Sequence, residues 1–276
     1  MDELRAIVIG LVQGLSEFLP ISSSGHLIVV REMFHWHFLK DDLTFDVALH
    51  LGTTVAVLAY FWREWLEMLG ALLPGRKPAW MPANPGSVYD SRFLMLMVVG
   101  SLPAAIVGLP LEHWVEDKVR SPEVVGVMLA VFAVVLLLAE RLGRKARQIS
   151  AAGWGDAVVI GCAQAVSLVP GVSRSGATIT AALARGFRRE DAARFSFLLA
   201  TPVIVGAGLL KMAQAAHDGI PSGDVPVLLL GAATAAVVGW ASIGYLLRLV
   251  QTQSYAPFVA YRILAGVFFV VYFLVT

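Results

Sequence analysis

Residues 13–26 (QGLSEFLPISSSGH) and 164–178 (QAVSLVPGVSRSGAT) set Ser, Gly, Pro and ionisable side chains inside runs otherwise apolar enough to sit in a bilayer. A charge at the centre of a membrane helix costs about 2.5–3.5 kcal/mol or more, so polar stretches at this depth point to a functional site. The apolar runs are about 6–30, 45–62, 93–111, 123–141, 156–186, 195–213, 225–248 and 256–275. Each is near the roughly 20 residues a helix needs to cross the hydrocarbon core. Backbone groups in lipid must be satisfied within their own segment, which leaves helices as the element for such runs. With 58% hydrophobic and 15% charged residues, the chain reads as an all-α polytopic membrane protein rather than a soluble domain.

The remaining composition narrows the function classes. A net charge of +1, with the basic residues spread over short loops, carries no nucleic-acid signature. Cys162 stands alone in an apolar run, so no disulfide framework is expected, and the opening MDELRAIVIG has no small-residue cleavage site. The proline-rich stretch 74–91 reads as an irregular loop, and 142–155 as a basic connector.

That connector separates two related halves, about 1–141 and 156–276, within a single membrane domain. Aligning 6–25 with 157–176 gives nine identities in twenty, among them Gln13/Gln164, Ser16/Ser167, Ser22/Ser173, Ser24/Ser175 and Gly25/Gly176. Loop charges bear on whether the first segment of each half crosses the membrane. If every segment spans once, Lys and Arg outside Arg174 divide ten against ten; if 6–30 and 156–186 are re-entrant hairpins, they divide fourteen against six. Cytoplasmic loops carry the Lys/Arg excess, so the second arrangement is expected: six transmembrane helices, two re-entrant helical hairpins, an inverted-topology repeat and both termini outside. Pro20 and Pro170 stop a helix, Gly25, Gly171 and Gly176 loosen the chain, and the serines cap whatever restarts. Irregular backbone at membrane depth must be buried in protein or line a cavity, so the two hairpin tips are expected to meet near the midplane.

A helix restarting after SSSG or SRSG aims N–H groups and its positive dipole end at the gap, which suits an anion. Arg174 adds a planar fork able to grip phosphate oxygens, although an Arg paired with a carboxylate for packing would look the same in sequence. Gln13 and Glu17 share one helical face a turn before Pro20, where carboxylate and amide oxygens can hold a divalent cation; Glu17 can equally serve as counter-ion to Arg174. His26 lies just past the first tip, placed to act as general acid, base or nucleophile. At the repeat shift, Glu17 aligns with Leu168, His26 with Ala177 and Ser23 with Arg174. This division of labour favours chemistry over two equivalent transport half-sites. An inverted-repeat transporter or flippase for a lipid phosphate or small anion is the alternative.

Other polar residues carry weaker expectations. Asp46 and His50, four apart, either support the site from behind or only pack. His35, Trp36 and His37 read as an interfacial patch, and the Gly and Ala of 200–240 as close helix packing.

The two motifs resemble the signatures of the bacterial undecaprenyl-diphosphate phosphatase family, the bacitracin-resistance type, and the resemblance in segment order covers essentially the whole chain. It implies an inner-membrane enzyme that hydrolyses undecaprenyl diphosphate to the monophosphate and inorganic phosphate with a divalent cation (Mg or Ca), its site opening to the periplasmic side. A polyprenyl diphosphate lipid would then be the substrate and membrane lipid the surroundings; a homodimer is left open. Carried onto this chain, the metal residues are Gln13 and Glu17, with Gln where the family also has Glu. Glu17, Ser23, His26 and Arg174 are the catalytic candidates. Ser22, Ser24, Gly25, Ser173, Arg174, Ser175, Gly176 and Thr178 are the phosphate-binding ones. Ser23, His26 and a water activated by His26 all remain open as nucleophile.

Overall fold

The structure is a computed structural model, and the residues it describes are 2–36, 42–73, 87–218 and 223–275. His37 and most of the 74–91 loop lie outside them. The described residues form eleven α-helices: α1 (Asp2–Phe18), α2 (Ser23–Phe34), α3 (Asp42–Tyr60), α4 (Trp62–Gly70), α5 (Ser91–Lys118), α6 (Pro122–Leu142), α7 (Trp154–Val166), α8 (Arg174–Ala184), α9 (Arg189–Asp218), α10 (Val225–Thr252) and α11 (Ala256–Val275). By length and composition, α6, α10, α11 and the apolar parts of α5 and α9 can each cross a bilayer. The pair α3 and α4, bent by 71°, supplies a sixth span if counted as one. A short helix, α4, thus stands between the apolar run 45–62 and the stretch 74–91 read from sequence as a loop.

Both polar stretches break their helices. α1 and α2 have 17 and 12 residues, and α7 and α8 have 13 and 11. At a rise of about 1.5 Å per residue none of the four reaches across a core of roughly 30 Å. The α2 and α8 starts share an unusual backbone: Ser22 has φ 76° and Ser173 φ 73°. Left-handed conformations at non-glycine residues cost on the order of 1–3 kcal/mol and persist where the surroundings enforce them.

The long helices pack around these broken ones. α1 lies along α10 and α7 along α5, while α3 meets α9 and α6 pairs with α11. The contacts are made by glycines, as expected where lipid gives no hydrophobic drive and association rests on close backbone approach. A Cβ on Gly10 would lie 2.7 Å from the Gly231 carbonyl oxygen, and one on Gly161 2.2 Å from that of Gly100. Between α6 and α11 the relation is reciprocal: a Cβ on Gly126 would lie 2.7 Å from the Gly266 oxygen, and one on Gly266 2.5 Å from that of Gly126.

Charges concentrate at one end of the bundle. Buried Asp156, in the first turn of α7, accepts hydrogen bonds from Arg147 Nη2 at 2.6 Å, Arg185 Nε at 2.7 Å and the Gly153 N–H at 2.9 Å. Arg189 pairs with Glu140 at the same end. The basic connector and the 185–188 turn are thereby tied to the helix ends they join.

Gly266→Ala should lower the unfolding temperature in detergent, by an amount matching the 1–3 kcal/mol typical of overpacking. Gly206→Ala, where a Cβ meets nothing within 4 Å, should leave it unchanged or slightly raised. A thermal unfolding series on the two variants checks the α6/α11 contact.

Candidate active site

The two tips meet. The Gly171 N–H donates to Ser22 Oγ at 3.2 Å, and Ser175 Oγ donates to the Leu19 carbonyl at 3.0 Å. Ser173 caps α8 as expected, its Oγ accepting from the Gly176 N–H at 3.0 Å. Ser22 makes no such side-chain cap on α2; its hydroxyl is engaged by the other tip instead.

At this junction Glu17, buried at 6% exposure, gathers donors from both halves. Its Oε2 accepts from Gln13 Nε2 at 3.0 Å and Ser23 Oγ at 2.5 Å. Its Oε1 accepts from Arg174 Nη2, which forms an ion pair across the tips. His50 Nε2 stands 3.8 Å from Oε2, while its Nδ1 donates to the Asp46 carbonyl at 2.8 Å. Of the residues singled out from sequence, Gln13, Glu17, Ser23 and Arg174 thus form one cluster, and Asp46 and His50 come to its edge.

The others sit differently. His26 Nδ1 donates to the Ser22 carbonyl at 2.7 Å, and its Nε2 lies 2.6 Å from the Tyr261 hydroxyl, with the two rings stacked at 5.6 Å. Its ring faces α11. Thr178 Oγ1 bonds the Arg174 carbonyl at 2.7 Å and Ser196 Oγ at 2.6 Å. Gly25 packs against Val125 and Gly176 against Arg262, so both glycines serve the close fit of the tips.

A cavity of about 300 Å³ stands over the cluster, with Arg174, Ser24, His50, Asp46 and Arg120 as its polar lining and α9 as its apolar wall. A second cavity of about 640 Å³, lined mostly by apolar residues of α5 and α9 with Leu168 and Pro170, shares Ser24, Arg120, Val203 and Ala207 with the first.

The donors near Glu17 also bear on a cation. Gln13 Oε1 is buried without a hydrogen-bond partner. With the Glu17 carboxylate and the Ser23 hydroxyl it makes an all-oxygen set of the kind hard divalent cations take. No group of three or more His, Cys, Asp or Glu converges among the described residues, so the protein fits such an ion only with the remaining ligands drawn from phosphate and water.

One residue that sequence reasoning misplaced holds the junction together. Arg262 is fully buried, and its guanidinium donates to four main-chain carbonyls: Leu129 at 3.2 Å, Pro20 at 3.0 Å, Gly171 at 3.1 Å and Val172 at 2.9 Å. The fourteen-against-six division of Lys and Arg counts it as a loop charge, whereas it lies inside α11. The signal was there, because Arg262 stands seven residues into α11, inside an apolar run, as Arg174 does. Without it the charge division is thirteen against six, and its sign is unchanged.

Two broken helices meeting at an arginine–carboxylate pair, beneath a cavity that shares part of its lining with a larger, mostly apolar one, define a helical membrane protein with a charged site set among apolar helices. Residues 6–268 match the family described as bacitracin resistance protein BacA, and the chain belongs to it. It is similar to the undecaprenyl-diphosphatase of Geotalea daltonii, 46% identical over 267 residues that cover 96% of both chains. That of Geobacter sulfurreducens is 45% identical over the same length and shares. That of Moorella thermoacetica is 44% identical over 274 residues, 99% of this chain and 98% of its own.

Arg262→Met leaves four buried carbonyls without this donor, and at roughly 1–3 kcal/mol for each unsatisfied group the loss should be among the largest for any single substitution here. Thermal unfolding in detergent should show it, with Arg262→Lys intermediate because an ammonium cannot reach all four at once.

Proposed function

We propose that the chain is an integral-membrane phosphatase that hydrolyses undecaprenyl diphosphate to undecaprenyl phosphate and inorganic phosphate, returning the lipid carrier of cell-wall synthesis to use. The observation that carries this reading is the Arg174–Glu17 pair set beneath a cavity lined by Arg174, Arg120, Asp46, His50 and Ser24, which shares Ser24, Arg120, Val203 and Ala207 with a larger, mostly apolar one. The identity to relatives named undecaprenyl-diphosphatase, over nearly the full length of both chains, supports the substrate.

In this reading the terminal phosphate takes Arg174 from Glu17. Phosphoryl transfer needs mainly positioning and charge stabilisation, which the guanidinium fork supplies to the equatorial oxygens. Ser23, already donating to Glu17, is the nucleophile that the geometry favours. Its oxygen bonds to the terminal phosphorus, its proton passes to Glu17, and the bond from phosphorus to the bridging oxygen breaks to release undecaprenyl phosphate. Water then attacks the phosphoserine, Glu17 returns its proton to Ser23 Oγ as the phosphorus–oxygen bond breaks, and inorganic phosphate leaves with the water's oxygen and protons while Glu17 is again ionised. His26, bonded to the Ser22 carbonyl and to Tyr261, orients the turn that presents Ser23. A divalent cation, Mg or Ca, would be held by Gln13 and Glu17 and would neutralise charge on the phosphate oxygens.

The same reading includes the architecture: one membrane domain, repeats of about 1–141 and 156–276, and two re-entrant hairpins in inverted topology. It is supported by the paired packing of α1 on α10 and α7 on α5, by the reciprocal Gly126/Gly266 contact and by the shared φ of Ser22 and Ser173. The Lys/Arg-rich end would face the cytoplasm of a bacterial inner membrane. The cavity, lined by Arg120 and the α2 and α3 residues Leu27 and Asp46, would open to the periplasm.

Phosphate release from undecaprenyl diphosphate by the purified protein in detergent tests the function. Wild type should release phosphate, chelator should abolish release, and Glu17→Ala and Ser23→Ala should be inactive while folded. Arg174→Ala should lose about 2.7–4 kcal/mol of transition-state stabilisation, on the scale of a deleted oxyanion donor. No release by folded wild-type protein would overturn the reading.

A further inference from the structure

We infer that Arg120 binds the inner, ester-linked phosphate of the substrate and so makes the site selective for a diphosphate; this rests on the phosphatase reading above. Arg120 belongs to the short connection between α5 and α6 and lines both cavities, the polar one over Arg174 and the apolar one between α5 and α9. A prenyl diphosphate has its inner phosphate at just this junction, between terminal phosphate and hydrocarbon. Ser24, the other polar residue common to both linings, stands on α2 one residue beyond Ser23.

The alternative role for Arg120 is as counter-ion to Asp46, and the local charges argue against it. Asp46 is already held by Arg31 in a two-pronged pair, at 2.6 and 3.0 Å. Arg120 reaches the same carboxylate only at 3.5 Å, with its side chain 36% exposed. Among the described side chains lining the polar cavity, Arg120, Arg174 and His50 face a single carboxylate, Asp46. Among the described residues, Glu17 is held by Arg174 and Asp46 by Arg31, and Arg120 has the longer 3.5 Å contact to Asp46. A guanidinium carries five donors in a planar fork suited to phosphate oxygens, so an anion at the junction can be bound without giving up the Asp46 contact. Discrimination follows: a prenyl monophosphate with its tail in the apolar cavity seats its phosphate at Arg120, and only a diphosphate also reaches Arg174.

Kinetics with farnesyl diphosphate as a short-chain substrate test this, with farnesyl phosphate and inorganic phosphate as separate inhibitors. Arg120→Gln should raise KM for farnesyl diphosphate and the inhibition constant of farnesyl phosphate by about tenfold or more, the scale of one charge-assisted hydrogen bond. The inhibition constant of inorganic phosphate, which seats on Arg174, should stay near wild type. Arg120→Lys should recover much of the loss, because the charge remains. Wild-type protein that turns over beside an Arg120→Gln variant with unchanged constants, or one that raises both inhibition constants alike, overturns the inference alone. Wild-type protein that releases no phosphate from farnesyl or undecaprenyl diphosphate overturns the phosphatase reading, and this inference with it.

Discussion

Glu17 and Arg174 are charges that neither half of the chain can keep alone at membrane depth. Each lies at the end of a broken helix, and each pairs with the other across the tips. Desolvating a charge costs several kcal/mol unless it is paired and hydrogen-bonded, so the meeting of the tips stabilises the fold as well as assembling the site. The rest of the structure secures that meeting. Arg262 pins carbonyls from both tips to α11, Ser22 and Ser175 add bonds from one tip to the other, and the long helices press together at glycines that let their backbones approach.

The two halves are alike where packing decides and different where chemistry does. Gly10 and Gly161 make corresponding contacts with the helices they lie along, and Ser22 and Ser173 take the same uncommon backbone conformation. Within the tips, Ser23 stands opposite Arg174 in the repeat and Glu17 opposite Leu168. In the proposed function, those few exchanges give a single site its nucleophile and base from one half and its anion-binding charge from the other. The cavity walls diverge as well, because Leu168 and Pro170 help line the apolar cavity while Glu17 serves the polar cluster.

Much of this was legible in the chain itself. Long apolar runs define the helices, and Ser, Gly, Pro and charge inside such runs mark the breaks, so the joining of Gln13, Glu17, Ser23 and Arg174 could be anticipated. What escaped depends on direction rather than position. His26 sits at the first tip, yet its ring turns to Tyr261 on α11, and no periodicity reports that choice. Ser173, Ser175 and Thr178 spend their hydroxyls on neighbouring helices and tip backbone rather than lining the cavity. Arg262 reads as a loop charge when it is grouped with Arg248 and the short connection before α11, although its place inside an apolar run is the same cue that singles out Arg174. Arg120 shows nothing in sequence, since it gains meaning only from the two cavities that converge on it.

The central claim is that Glu17 holds Arg174 at rest and yields it to the phosphate. The most direct test is the affinity of the protein for a non-hydrolysable prenyl methylenediphosphonate, measured with chelator present for wild type and Glu17→Gln. Removing the competing carboxylate should strengthen binding by about tenfold, the scale of one released charge-assisted contact, even though turnover is lost. Binding to Glu17→Gln that is unchanged or weaker than wild type would contradict the exchange and leave the pair a structural brace.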